Sequence, residues 1–207
     1  MTSRDVVLGR IRGALGRSPA GPVEISRDYR RGRTAPAEGR FALFADRLLD
    51  YKAFVHRCAA DEIPATLARI LTERGVRTVG VPTGLDRSWL VHFDGDIIVD
   101  SPDTPAPRLE SLDGVVTASA TACAETGTIF LDGSPDQGRR ALTLVPDLHV
   151  CVVSLDAVEV GVPEALARLV PGRPTTLISG PSATSDIELE RVEGVHGPRT
   201  LVVVIAG

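Results

Sequence analysis

From residue 41 onward the apolar residues fall into short blocks that switch between two periods. Phe41, Phe44, Leu48 and Tyr51 recur at helical spacing and mark one face of a helix. Ala53 to Cys58 reads as a strand. A second helix follows, with Pro64 in the first turn where its missing N–H costs nothing, Leu67, Ile70 and Leu71 on its apolar face, and Gly75 at its end. Val76 to Val81 is the next strand, and further strand-like runs stand at 97–99, 115–116, 128–131, 149–153, 175–178 and 201–205, with a helix at 163–169. Several of these strands are continuous apolar runs, as expected where helices cover both faces of a sheet. The alternation predicts an α/β fold with a mostly parallel sheet, and it carries no information on strand order.

The chain before residue 41 has a different pattern. Val7, Ile11 and Leu15 share one helical face among arginines, which predicts an amphipathic N-terminal helix capped by Ser3. Residues 18–40 are rich in Pro, Gly and Arg without apolar periodicity, so an extended arm is expected, carrying Arg27, Arg30, Arg31 and Arg33. Such an arm is either solvated or reaches a partner or an anionic ligand. The predicted division is therefore 1–40, helix and arginine-rich arm, and 41–207, an α/β domain.

Composition narrows the function classes. A formal net charge of −4 offers no electrostatic case for nucleic acid. No apolar run reaches the length of a membrane span, and arginines interrupt the N-terminal segment where a secretory signal needs a continuous apolar core, so a cytoplasmic protein is expected. Cys58, Cys123 and Cys151 are far apart and form no C-x-x-C pair, which points to buried thiols rather than a zinc or iron–sulfur site. Glycine-rich nucleotide loops and H-E-x-x-H pairs are missing from the sequence. No cofactor is assigned.

Three polar loops interrupt the apolar pattern. ISGPSATSDIELE (178–190) follows a strand and gathers Ser179, Gly180, Ser182, Thr184 and Asp186 in a few positions, an arrangement suited to a small anion. Within it, Ser185 and Glu188 have the spacing of a capping box and predict a short helix. CAETGT (123–128) places Glu125 beside Thr126, Gly127 and Thr128, with the carboxylate as candidate base or nucleophile and an exposed turn residue as the plainer reading. GVHGP (194–198) places His196 in a fixed turn, where it serves either the fold or acid–base chemistry. Asp186, Glu188 and His196 match no standard metal loop.

Taken together, AETGTIFLD (124–132), RALTLVPDLHVCVV (140–153), ISGPSATSDIELERVEGVHGP (178–198) and the apolar C-terminal strand resemble the lactate utilisation protein C family, a branch of the LUD domain proteins. The resemblance covers the second half of the chain strongly and the helical first half loosely. It implies a three-layer α/β sandwich related to ribose-5-phosphate isomerase, glucosamine-6-phosphate deaminase and coenzyme A transferases. It also implies work beside two iron–sulfur partner proteins that together oxidise L-lactate to pyruvate, with this chain as the member that carries no cluster. Three functions compete: a lactate-utilisation component that binds a small anionic ligand; a stand-alone isomerase- or transferase-type enzyme acting on a sugar phosphate or acyl compound through Glu125; and a non-catalytic scaffold subunit whose working surface is the arginine-rich arm.

Overall fold

The structure, a computed structural model, describes residues 2–16, 24–28, 32–185, 191–193 and 197–207. The chain divides into two units, residues 1–30 and 31–207.

The first unit contains helix α1, Ser3–Leu15. Its cap is Thr2, one residue before the expected Ser3: Asp5 stands three residues after Thr2 and closes a reciprocal box, with Thr2 Oγ1 accepting from the Asp5 N–H and Asp5 Oδ2 accepting from the Thr2 N–H. Val7, Ile11 and Leu15 remain exposed, and no residue of α1 is buried.

In the second unit, helix α2 (Ala37–Asp50) starts earlier than the apolar spacing indicated, because Pro36 supplies a fixed, extended entry and the first turn needs no apolar residue. Then come β1 (Phe54–Cys58), α3 (Ile63–Glu73), β2 (Thr78–Val81), β3 (Asp96–Val99), α4 (Ala106–Glu110) and β4 (Gly114–Thr117). They are followed by β5 (Thr121–Cys123), β6 (Thr128–Leu131), α5 (Arg140–Leu144), β7 (Leu148–Ser154), β8 (Val158–Glu159), α6 (Val162–Arg168) and β9 (Thr176–Ile178). The last strands are β10 (Ala183–Ser185), β11 (Arg191–Glu193) and β12 (Thr200–Ala206).

Six strands form an all-parallel sheet in the order β1-β12-β7-β4-β2-β3. The period of a strand splits each central one between two cores. Val150, Val152, Val202 and Val204 pack with Leu67, Ile70 and Leu71 of α3 on one face. Cys151, Val153, Val203 and Ile205 pack on the other against Phe44 and Leu48 of α2 and against Ala122 and Ile129 of a second sheet. That second sheet has the order β8-β5-β6-β9, with β5 and β8 parallel and the other pairs antiparallel. The result is three layers, with the six-stranded sheet in the middle. Between β6 and α5, the chain crosses over the carboxyl ends of β2 and β4: Pro135 O accepts from the Gly84 N–H at 2.8 Å and Asp136 O from the Ala118 N–H at 3.0 Å.

The short helix expected after Ser185 falls on residues 186–190, which lie outside the described residues. Ser185 itself ends β10 and pairs antiparallel with Arg191 of β11.

Among the described residues, no helix is long and apolar enough to cross a membrane.

Candidate functional site

The antiparallel pairing of β6 with β9 sets Ile129 opposite Ile178, which brings the residues before β6 next to the residues after β9. At this end of the second sheet the hydroxyls form a chain. Thr126 Oγ1 lies 2.7 Å from Thr128 Oγ1, and Thr128 Oγ1 lies 2.8 Å from Ser179 Oγ. When Thr128 donates to Ser179, the Ser179 O–H is released for another acceptor.

Two glycines let this end close against α2. Gly127 has φ +62°, and a β-carbon there would stand 2.8 Å from Cβ of Arg47. Gly180 has φ +82°, and a β-carbon there would stand 2.5 Å from Cβ of Tyr51. Both positions are left-handed and crowded, so glycine is required twice over. The close approach that Gly180 permits is therefore to the fold's own helix end.

Beyond the hydroxyl chain lies a pocket of about 200 Å³. Ser179, Gly180 and Ser182 form one side, Arg140 and Thr143 of α5 another, and His149 of β7 reaches it from the central sheet. The Ser182 N–H donates to Pro198 O at 2.8 Å, tying the segment after β9 to the turn before β12. The guanidinium of Arg140 makes no ion pair or hydrogen bond among the described residues, and the described lining contains no carboxylate. The pocket thus presents one positive charge, hydroxyl groups and an imidazole.

The imidazole is neutral. His149 is buried, and burial pushes its pKa down to about 4; its Nε2 is 2.8 Å from Thr117 Oγ1. Cys151 lies next along the same face, its thiol pushed up to about 12 by burial, so it is protonated at neutral pH. Neither group is an activated nucleophile.

The structure brings Thr126, Thr128 and Ser179 into one hydrogen-bonded chain, and Ser179, Gly180 and Ser182 into one pocket. Thr184 lies in β10, whose side chains are not among those described, and Asp186, Glu188 and His196 lie outside the described residues. Glu125 is not on the pocket. Its Oε1 is paired with Arg33 Nη1 at 2.9 Å, and the Arg33 N–H donates to Glu164 Oε1 at 2.8 Å, so the arm's Arg33 meets carboxylates of this unit. Arg140, Thr143 and His149 were not among the residues nominated from the sequence. Arg140 and Thr143 gave no signal on a short helix, whereas His149, a titratable residue inside the apolar run LHVCVV, was the visible anomaly. Cys58, Cys123 and Cys151 are free and buried on three different strands. Among the described residues, no group of three or more His, Cys, Asp or Glu side chains gathers to hold a metal.

The LUD domain family matches residues 42–206. A protein named Lactate utilization protein C from Deinococcus radiodurans is 48% identical over 168 residues, which cover 79% of this chain and 78% of the relative. A protein of the same name from Bacillus pumilus is 30% identical over 166 residues, covering 70% and 69% of the two chains. The crystal structure of a DUF162 family protein, also from Deinococcus radiodurans, has a TM-score of 0.72 and 39% identity, and covers 84% of this chain and 100% of that one. With nearly the whole α/β unit matched, the chain belongs to the LUD domain family, on the branch of the Lactate utilization protein C relatives.

Proposed function

We propose that this chain is a component of an L-lactate utilisation system that oxidises lactate to pyruvate, working beside iron–sulfur partner proteins, and that its pocket holds a small carboxylate. The pathway rests on relatives named Lactate utilization protein C at 30% and 48% identity over most of their length. In this reading electron transfer belongs to the partners, because the three cysteines here are buried apart on separate strands.

One observation carries the ligand: among the described residues, Arg140 has no carboxylate partner, and it stands beside Ser179 and Ser182 in a pocket of about 200 Å³. A free guanidinium offers paired N–H donors to a carboxylate, and short hydroxyls add donors without filling the space. Ser179 is oriented by Thr128. His149, neutral and tied to Thr117, adds a polar wall without a second charge.

Calorimetric titration of the full chain with L-lactate and pyruvate tests this reading. Arg140→Ala is expected to weaken binding by about 1.5–3 kcal/mol, the loss of hydrogen bonds to a charged group, with the fold retained because Arg140 is exposed. Unchanged affinity would remove the pocket from consideration.

A further inference from the structure

We infer that the larger cavity beside this pocket binds a nucleotide through its diphosphate. The cavity has a volume of about 770 Å³, well above the 200 Å³ of the carboxylate pocket and inside the range of about 300–1,000 Å³ usual for organic ligands and cofactors. It opens outside the carboxyl ends of β2 and β3, at Pro82, Thr83, Asp100 and Ser101, where ligands bind in open α/β sheets. Pro82, Pro102, Pro174 and Leu131 give it apolar walls suited to the body of a nucleoside.

Three arginines supply the recognition. Arg139 is held by Asp100, with Nε and Nη2 at 2.8 and 2.9 Å from the two carboxylate oxygens, and by Thr104 O at 2.7 Å. Arg173 is held by Asp132 at 3.3 Å and by Ser134 Oγ at 2.9 Å, all through Nη1. Asp100 and Asp132 are buried, so each anchors its arginine from beneath. Among the described residues, Arg139 Nη1, Arg173 Nε and Nη2, and the whole Arg140 guanidinium keep their donors unused. The two aspartates neutralise two arginines and leave the third in surplus, a local positive charge in a chain of net charge −4. Guanidinium forks fixed by a second contact are pre-organised for phosphate oxygens, and they replace the glycine-rich loop that this sequence lacks. Arg140 and Thr143 line both cavities, so the nucleotide's phosphates and the small carboxylate would lie side by side.

This inference stands on the cavity and its arginines, and does not depend on the lactate reading. ADP, adenosine and L-lactate are titrated separately into the full chain and into two variants. Thr83→Trp narrows the cavity from an exposed position whose side chain makes no hydrogen bond among the described residues. Arg173→Gln removes free donors, and its thermal melt is measured alongside because Arg173 also holds Asp132. Saturable ADP binding is expected, about tenfold or more tighter than adenosine and weakened about tenfold or more by each folded variant. L-lactate affinity is expected to stay unchanged in Thr83→Trp. No saturable ADP binding, equal affinity for adenosine, or ADP affinity unmoved in Thr83→Trp would overturn the inference. Loss of L-lactate binding by Arg140→Ala with ADP binding still blocked by Thr83→Trp would support both sites separately.

Discussion

His149 shows what burial does to a single side chain. It sits in the central sheet with its Nε2 committed to Thr117, and desolvation favours the neutral ring, lowering its pKa from 6.5 to about 4. The unfolded chain therefore binds this proton more readily than the folded one, so stability is full above 6.5 and falls as pH drops toward 4. Between neutral pH and about pH 4.5 the loss is on the order of 2–3 kcal/mol. His149→Gln, which cannot titrate, should flatten that part of the curve in urea unfolding across this range. His56 is lowered too, mainly by burial, but it is common to both proteins and cancels in the difference. Asp113, held low by the backbone N–H groups of Arg77 and Thr78, and Asp147, held low by Arg199, lose their contributions only below their ordinary carboxylate range. An unaltered slope in the variant would mean that His149 is hydrated in the native state. The same residue shows a limit of sequence reading. LHVCVV is legible as a strand because the run is apolar, and His149 stands out in it, but what His149 meets depends on strand order, which the sequence does not carry.

At the scale of elements, long apolar runs were readable and short polar ones were not. β7 and β12 declare themselves through continuous branched residues, whereas β5, Thr121–Cys123, is too short and too small in its side chains to rise above a turn. The hydroxyl-rich segment after β9 was recognisable as a special place, but the pairing of Ser185 with Arg191 was not, because it depends on residues farther along the chain. Gly180 was legible as part of a polar loop, but its neighbour, Tyr51 at the end of α2, could not be named in advance. The crowding there leads to a definite expectation. Gly180→Ala forces a β-carbon into a left-handed position and against Tyr51, which should cost about 1–3 kcal/mol of stability. It should also displace Ser179 and Ser182 and weaken carboxylate binding. Thermal melts and calorimetry on the same sample measure both. A variant as stable and as tight-binding as the parent would show that this turn has room the geometry denies.

Over the whole molecule, the decisive feature is the position of β12. The last strand of the chain lies between β1 and β7, so the sheet is completed only when distant segments have been brought together, and no local pattern could have revealed that order. The same strand separates two cores. Val202 packs with the α3 side and Ile205 with the α2 and second-sheet side, and the two clusters share no residue. The candidate site lies on the second of these faces, which is also where His149 and Cys151 are found, so the carboxylate pocket is built against one core and is insulated by the sheet from the other. Truncation at the two positions tests this separation. Val202→Ala should cost about 2 kcal/mol and Ile205→Val about 0.5–1.5 kcal/mol, from lost burial and the residual cavity. Because they stand three residues apart on opposite faces, in clusters that share no residue, the double variant should be the sum within about 0.5 kcal/mol. Val203 and Val153, by contrast, belong to one cluster, and their double truncation should depart from additivity. Denaturant unfolding of the two cycles gives the comparison. Strong coupling between Val202 and Ile205 would mean that the sheet transmits strain between its faces, and the pocket would then respond to changes in the α3 core.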